Sequence, residues 1–208
     1  MIIINFKNYV VSEKSMELAR RVYKYLPNAV VCVSAVDISY ISYYLPKLKV
    51  YAQHVDFQEK GKTTGFVISE AVREQGAVGT LLNHSEHRLK FDEIKKTIKR
   101  CKGLKVILCA SNVNEVRKFI MLKPYAIAYE DEKLIGSGKS ITEYRSDEVK
   151  KFVSVLKGSG IIPICGAGVS SAKDVLASRE LGCEGVLIAS AIANVKKPEK
   201  LLRELRKI

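Results

Sequence analysis

Short apolar runs recur along the chain and alternate with segments of mixed polarity. A strand with one face in water alternates apolar and polar residues, whereas a strand buried on both faces is apolar throughout, as in parallel sheets covered by helices. The runs in this chain are of the second kind and are rich in β-branched residues. The pattern predicts eight buried strands, at 1–5, 29–33, 49–53, 77–82, 105–110, 125–130, 161–165 and 185–189.

Several of the segments between these runs have a helical period or the end signals of a helix. In the first, Leu18, Val22 and Leu26 fall on one helical face, and Ser12 is placed to cap the start. Three later segments have acidic or polar residues in their first turn and end at glycine, a residue that often terminates helices. The predicted helices cover 12–26, 37–46, 91–103, 146–158, 170–182 and 198–207, and the remaining connections are shorter.

The alternation of strands and helices indicates the fold class. Eight strand–helix units in 208 residues leave about 26 residues per unit, which is enough for right-handed crossovers between parallel strands. A doubly wound sheet has the same alternation but usually fewer strands. We therefore expect an α/β fold, a compact (β/α)8 barrel. Because no linker or low-complexity tract interrupts the pattern, a single domain over residues 1–208 is expected.

Composition and cysteine content restrict the setting of the protein. The chain is 47% hydrophobic and 27% charged, as soluble globular domains are. The apolar N-terminus lacks the basic region and cleavage site of a signal peptide, and no apolar run of roughly 18 residues predicts a membrane span. Five cysteines without C-x-x-C spacing argue against a disulfide scaffold or a zinc site. A reducing cytoplasm is the expected location, with no membrane partner.

The formal net charge of +13 is large for this length and is compatible with nucleic-acid binding. The lysines and arginines, however, are spread along the predicted helices, and no basic patch is interleaved with aromatic residues. A solvated basic surface that also steers an anionic substrate explains the charge. No nucleic-acid partner is therefore expected, although nucleic-acid binding stays as an alternative function.

Candidate chemistry lies where the predicted strands end, because barrel enzymes build their active sites at the carboxyl ends of their strands. Lys7, His84 and Glu130 lie at the ends of the first, fourth and sixth strands. Each has an ordinary structural explanation as well, since Lys7 fits a surface lysine, His84 a satisfied core histidine and Glu130 a solvated charged turn. Together they carry more weight, because all three fall on one rim of the predicted barrel.

Small residues follow the last two strands, at 166–168 and 189–190. Such residues let a phosphate approach backbone N–H groups closely, and barrels of this kind commonly bind phosphate there. The glycine-containing segment 136–139 lacks the spacing of a nucleotide-binding loop. Its glycines fit the hinge of a lid better.

Motifs at the strand ends follow a specific order along the chain. They are NFK at 5–7, NHSEHR at 83–88, YE at 129–130 with IGSG at 135–138, CGAGV at 165–169 and LIAS at 187–190. In this combination the chain resembles the triosephosphate isomerase family, specifically its short archaeal form. The resemblance implies the interconversion of dihydroxyacetone phosphate and D-glyceraldehyde 3-phosphate in glycolysis and gluconeogenesis, without a cofactor or a metal.

The resemblance also implies roles for the residues at the strand ends. Glu130 would be the base that removes a carbon-bound proton and returns it to the neighbouring carbon. His84 would polarise the carbonyl oxygen as neutral imidazole, at the start of a helix whose dipole disfavours imidazolium. Lys7 would balance the developing negative charge, and Asn5 and Phe6 would lie at the substrate beside it.

The same resemblance extends to the phosphate and to contacts between subunits. Glu86 would support Lys7 or accept a proton transiently, with support the favoured role, and residues 135 and 136 would belong to a closing lid. Thr64 would lie in a loop that inserts beside a neighbouring subunit, which implies a dimer or a tetramer. The residues that would bind the substrate around its phosphate are Ile135, Gly136, Gly168, Ala189 and Ser190.

The chain departs from the family pattern at three places. Many relatives have proline after the catalytic glutamate, whereas residues 131–133 are Asp-Glu-Lys here, at the hinge of the lid. His87 stands where non-archaeal relatives usually carry arginine, and so changes the ion pair expected there. The pair Ala189-Ser190 replaces Gly-Gly.

Three alternative functions stay open from the sequence. Phosphoribosylanthranilate isomerase and indole-glycerol-phosphate synthase are barrels with similar phosphate loops, but they lack the combination of Lys7, His84 and Glu130. A phosphate-binding or regulatory barrel without catalysis is the second alternative, because the lid hinge is altered. Nucleic-acid binding through the basic surface is the third.

Overall fold

Eight parallel strands close into a barrel in sequence order, in a computed structural model that describes residues 1–130 and 146–208. The last strand pairs with the first, with Ile3 opposite Leu187. The predicted (β/α)8 barrel is thereby confirmed, and the doubly wound sheet is excluded. The strands are β1 Ile2–Asn5, β2 Val30–Val33, β3 Lys49–Ala52, β4 Gly79–Leu82, β5 Lys105–Ala110, β6 Ala126–Tyr129, β7 Ile162–Cys165 and β8 Gly185–Ile188.

Helices cover the outside of the barrel in the described parts of the chain. They are α1 Glu13–Tyr25, α2 Ile38–Tyr44 after a 3₁₀ turn at Ala35–Asp37, α3 Ser69–Glu74, α4 Phe91–Arg100, α5 Val113–Ile120, α6 Ser146–Leu156, α7 Ala172–Glu180, α8 Ser190–Ala193 and α9 Glu199–Leu205. Three of these helices, α3, α5 and α8, were not predicted. For α5 the sequence did contain a start signal, the helix-capping residue Asn112. In the structure its side chain accepts a hydrogen bond from the Glu115 N–H at 2.9 Å.

The ends of the predicted helices are partly as expected. Ser171 caps α7, since its Oγ accepts from the Asp174 N–H at 3.2 Å and its own N–H donates to the Asp174 carboxylate at 2.9 Å. Ser12 does not cap α1, so that prediction was wrong. Its backbone is left-handed, with φ of 54°, and its N–H donates to Asp37 Oδ1 at 3.0 Å. The chain between β1 and α1 is thereby tied to the segment after β2.

The core has two layers because successive residues of a buried strand point to opposite faces. Ile3 packs with the residues that fill the barrel interior, and its neighbour Ile4 packs between the strands and the helices. Both side chains are fully buried. All five cysteines are buried as free thiols. The barrel is therefore a solid scaffold whose carboxyl-end loops are positioned by packing on both sides of each strand.

No helix in the described parts of the chain has both the length and the apolar character needed to cross a lipid bilayer.

Candidate active site

The carboxyl ends of the strands surround a cavity of about 370 Å³. Most of the residues singled out from the sequence line it. Among the described residues expected at the substrate, the exception is Phe6, which is fully buried in the layer between strands and helices. The structure therefore gives Phe6 a packing position and not a contact with the cavity. The lining residues are Asn5, Lys7, Tyr9, His84, Glu86, Glu130, Gly166, Gly168, Val169, Ser170, Leu187, Ala189 and Ser190.

Lys7 is aimed by a turn directly after β1. Its backbone is left-handed, with φ of 46°, which is uncommon for a residue with a side chain. The turn is held because the Lys7 N–H donates to Asn5 Oδ1 at 2.9 Å and the Gln53 side chain donates to the Lys7 carbonyl at 2.8 Å. The ammonium donates to Glu86 Oε1 at 2.7 Å. The Lys7 side chain is 12% exposed and that of Glu86 is 58% exposed, so the cation is the more sheltered partner.

His84 lies in a single turn after β4. The His87 N–H donates to the His84 carbonyl at 2.8 Å, and helix α4 starts only at Phe91. The predicted helix start at His84 was therefore wrong. In its place one backbone group fixes the ring, since the Glu86 N–H donates to His84 Nδ1 at 3.2 Å. An Nδ1 that accepts carries no proton, which leaves the proton of the neutral ring on Nε2.

The surroundings of His84 disfavour its charged form. Burial lowers the pKa of the ring to about 4, and the Lys7 ammonium acts in the same direction, while Glu86 opposes both. At neutral pH the ring is therefore neutral. It can donate a hydrogen bond from Nε2 but it cannot act as a cation.

Glu130 directly follows β6, and its side chain lines the cavity at the carboxyl end of the barrel. Its N–H donates to the Ala110 carbonyl at 2.9 Å, and its carboxylate is buried. Burial raises the pKa of this carboxyl to about 7, against smaller lowering effects of the Cys109 thiol and the Lys7 ammonium. Its Oε2 has no hydrogen-bond partner within residues 1–130 and 146–208. A carboxylate of this basicity, with a lone pair unengaged by those residues, is suited to accept a proton from carbon.

The two titrating groups face each other across the floor of the cavity. His84 Nε2 lies 3.6 Å from Glu130 Oε1, which is near contact without a normal hydrogen bond. Near pH 7 one group is a neutral donor and the other is close to its pKa. A small substrate that contacts both groups would meet a proton acceptor and a proton donor at once.

Gly166 lies against the Glu130 side chain and leaves no space there for a side chain of its own. A Cβ at position 166 would lie 2.5 Å from Glu130 Cγ and 3.1 Å from the Tyr129 carbonyl oxygen. Both distances are below ordinary van der Waals contact, so the buried carboxylate would have to move. Sequence reasoning assigned position 166 only to a phosphate loop, because nothing in a sequence shows which side chain a glycine accommodates.

Gly166→Ala is expected to displace the Glu130 carboxylate and to lower kcat by about 10- to 100-fold, since small misplacements of a reacting group have effects of that size. Steady-state kinetics would measure the loss. The matched control is the same substitution in a Glu130→Gln background, where little further loss is expected because the displaced group is already gone. Additive losses would show that Gly166 acts elsewhere.

Small residues form the wall of the cavity beyond β7 and β8. Gly168 is left-handed, with φ of 64°, and α8 begins at Ser190 directly after Ala189. The N–H groups of Ser170 and Ser171 donate to Asp174 Oδ2, each at 2.9 Å, and are thus occupied. Gly168, Ala189 and Ser190, which the family resemblance implies for the phosphate, all line this wall.

A smaller cavity of about 220 Å³ adjoins the first one and shares Lys7 and His84 with it. Two imidazoles line its far side. The rings of His54 and His87 stack with centroids 4.0 Å apart, and His54 Nε2 lies 3.1 Å from Asp56 Oδ1. His87, which stands where non-archaeal relatives usually carry an ion-paired arginine, thus packs on the imidazole of His54.

Some sequence-based expectations fall outside this geometry. Ile135 and Gly136, the acidic hinge at 131–133 and the glycine segment at 136–139 lie outside the described residues. Thr64 lies on an exposed loop after β3 and lines neither cavity. Within the described parts of the chain, His, Cys, Asp and Glu form no group of three that could hold a metal ion.

The fold and the site together define a class of protein. A closed (β/α)8 barrel carries a sheltered lysine, a neutral histidine and a carboxyl of nearly neutral pKa around one cavity at its carboxyl end. Perturbed titratable groups around a cavity at the carboxyl end of the strands are typical of a (β/α)8-barrel enzyme. The family model described as triosephosphate isomerase matches residues 1–205. The chain belongs to the triosephosphate isomerase family.

Individual relatives agree with the family match over nearly the full length. The triosephosphate isomerase of Saccharolobus solfataricus is 38% identical over 98% of this chain and 93% of the relative. That of Methanocaldococcus jannaschii is 35% identical over 100% of this chain and 99% of the relative. The crystal structure of triosephosphate isomerase from Bartonella henselae superposes with a TM-score of 0.73 at 18% identity, covering 93% of this chain and 94% of that one. The family resemblance of the motifs is confirmed by the sequence matches, and the fold by the structural one.

Proposed function

We propose that the chain interconverts dihydroxyacetone phosphate and D-glyceraldehyde 3-phosphate, as part of glycolysis and gluconeogenesis. Family membership supports the substrate class. The observation that carries the chemistry is the buried Glu130 carboxyl, with a pKa near 7, lying 3.6 Å from the Nε2 of a neutral His84. The two groups share a cavity with Lys7 that is large enough for a triose phosphate.

In this proposal the reaction proceeds through an enediolate. Glu130 accepts the proton from the carbon beside the carbonyl, and the electron pair of that C–H bond forms the carbon–carbon double bond. His84 donates a hydrogen bond from Nε2 to the oxygen on which negative charge develops. The proton of the neighbouring hydroxyl passes to that oxygen by way of His84 Nε2, and Glu130 then returns a proton to the neighbouring carbon. Protons alone are moved and no group is oxidised overall, so we propose a reaction without cofactor or metal.

Lys7 stabilises the negative charge of the enediolate and of the phosphate in this proposal, because its ammonium is sheltered from water and lines the same cavity. Asn5 contributes by holding the Lys7 backbone, and Glu86 by pairing with the ammonium. The residues proposed at the phosphate are Gly168, Ala189 and Ser190, with Ile135 and Gly136 contributing from the segment outside the described residues.

An assay coupled to the consumption of each triose phosphate tests the proposed activity. Turnover in both directions is expected. Absence of turnover together with binding of inorganic phosphate would show a non-catalytic phosphate-binding barrel instead. Residues 1–208 are proposed to act as one catalytic domain in the cytoplasm.

A homo-oligomer, either a dimer or a tetramer, is part of the proposal. The smaller cavity is lined in part by Lys7 and His84. A loop of a neighbouring subunit that entered it would therefore lie close to both residues. Large apolar side chains are exposed near this rim, with Val36 80% and Phe66 48% exposed. Thr64 lies two residues from Phe66 on the exposed loop, which makes that loop the proposed insert.

Thr64→Glu is expected to weaken subunit association by about 100-fold or more, because the insertion would bury an unpaired carboxylate. Sedimentation at several concentrations would show smaller species, and activity per chain would fall on dilution. Thr64→Ser keeps the hydroxyl and is expected to behave as the unaltered protein. If the glutamate variant stayed fully oligomeric and active, Thr64 would not lie at an interface.

A further inference from the structure

Asn83 stands directly before His84 and adopts a backbone conformation that most side chains avoid. Its φ is +61°, in the left-handed region. Asparagine tolerates this region better than most residues, but glycine adopts it without cost. The residue is also buried, with 1% of its surface exposed. A buried polar side chain in a left-handed backbone must be held by specific partners.

The Asn83 side chain bridges two separate parts of the barrel. Its Nδ2 donates to the Cys109 carbonyl of β5 at 2.9 Å, and its Oδ1 accepts from the Leu89 N–H at 2.9 Å. The Asn83 carbonyl in addition accepts from Arg88 at 3.4 Å. The amide therefore closes the loop from 83 to 89 on itself and fastens it to the neighbouring strand.

Each end of this bridge leads to one of the reacting groups. The loop contains the turn in which the Glu86 N–H donates to His84 Nδ1. On the other side, the Cys109 thiol lies near enough to the Glu130 carboxylate to lower its pKa. Cys109 is thus bonded to Asn83 through its carbonyl, and its side chain adjoins Glu130.

Arg88 supports the same connection from outside the cavity. It forms an ion pair with Glu115, and Glu115 Oε2 accepts from the Ser111 N–H directly after β5 at 2.9 Å. The loop that carries His84 is therefore attached to β5 twice, once through the buried amide of Asn83 and once through a partly exposed ion pair.

We infer that Asn83 is a positioning residue. It holds the His84 ring in its Nε2–H form and keeps Nε2 at its place beside the Glu130 carboxylate. The inference rests on the proposed isomerase function, and it adds a residue to which that function had assigned no role. Removing the amide frees the turn after β4, which weakens the bond from the Glu86 N–H to Nδ1 and lets the proton occupy either ring nitrogen.

Asn83→Gly tests this directly, because glycine keeps the left-handed backbone and removes both side-chain hydrogen bonds. We expect kcat to fall about 10- to 100-fold with KM within about twofold of the unaltered value, the pattern of a misplaced reacting group. Nitrogen NMR of the histidine ring, assigned by comparison with His84→Gln, should show one tautomer in the unaltered protein and a mixture in the variant.

Lys123→Gly is the matched control. Lys123 is also left-handed, with φ of 49°, but it is exposed before β6 at the opposite end of the barrel. It is expected to keep both kcat and the tautomer. Unchanged kcat and tautomer in Asn83→Gly, or equal losses in the two glycine variants, would overturn the positioning role.

If Asn83→Gly does not fold, Asn83→Asp provides the same information, since it keeps the acceptor for the Leu89 N–H and loses the donor to the Cys109 carbonyl. A fall in kcat of about fivefold or more at unchanged KM supports the role, and unchanged kcat overturns it. Should the unaltered protein lack isomerase activity, the proposed function fails by itself. The tautomer of His84 in the variants then still decides the positioning role.

Discussion

Glu130→Gln is expected to lower turnover of glyceraldehyde 3-phosphate by at least about 10²–10⁴-fold, the usual contribution of a positioned base. The amide has nearly the same shape as the carboxyl but cannot accept the proton from carbon. The fold should remain intact, because the surrounding barrel is packed independently of this charge. The coupled assay at substrate saturation measures the loss.

The same substitution is expected to stabilise the protein at high pH. Burial raises the folded-state pKa of Glu130 from 4.5 to about 7, so the unfolded chain ionises first as the pH rises. Stability therefore decreases between pH 4.5 and about 7 and stays lower above it, by about 3 kcal/mol at pH 8. Glutamine carries no such penalty. Urea unfolding should show the variant more stable at pH 8 and no difference arising from this group below pH 4.5.

Glu180→Gln is the control for both measurements, because this glutamate is exposed at the end of α7. It is expected to change neither turnover nor the pH dependence of unfolding. Equal turnover in Glu130→Gln and the unaltered protein would remove Glu130 from the role of base. Equal stability of those two proteins at pH 8 would contradict the raised pKa.

Lys7→Met is expected to lower kcat/KM by about 10²–10³-fold, comparable to the removal of one donor that stabilises a developing oxyanion. Methionine keeps much of the side-chain volume and removes the sheltered cation. The pKa values of the neighbours should respond as well. The Lys7 ammonium lowers the pKa of both His84 and Glu130, so both should rise in the variant.

The pH profile of kcat/KM distinguishes this electrostatic role from a loss of packing. In the unaltered protein activity should fall below pH about 7 as Glu130 is protonated, and His84, with a pKa of about 4, adds no further step above pH 5. In Lys7→Met the fall should begin at higher pH. Lys49→Met, at the exposed start of β3, should leave rate and profile unchanged. An unshifted profile in Lys7→Met with activity within twofold would exclude the role.

The barrel could be predicted from the sequence because its strands are buried on both faces. Such strands must be apolar throughout, and eight of them in sequence order leave few other topologies. The site followed from the same property, because a polar residue that ends an apolar run lies on the rim of the barrel. Lys7, His84 and Glu130 were found in this way, and the structure places all three around one cavity.

Local backbone geometry could not be read in the same way. The turn at His84 was expected to be a helix start, because both begin with similar polar residues and only the hydrogen bonds distinguish them. Phe6 lies between two site residues along the chain, yet its side chain points into the core because neighbouring strand residues alternate in direction. Asn83 and Gly166 act through contacts with β5 and β6 that are distant in sequence.

Proton exchange with solvent is the measurement that addresses the proposed base most directly. Glyceraldehyde 3-phosphate would be converted in D₂O, and the dihydroxyacetone phosphate formed would be analysed by proton NMR. If Glu130 carries the proton between carbons, a substantial fraction of product should hold one deuterium at the carbon that receives it, and Glu130→Gln should give neither product nor exchange. Undiminished product formation or undiminished exchange in the variant would contradict proton transfer by Glu130.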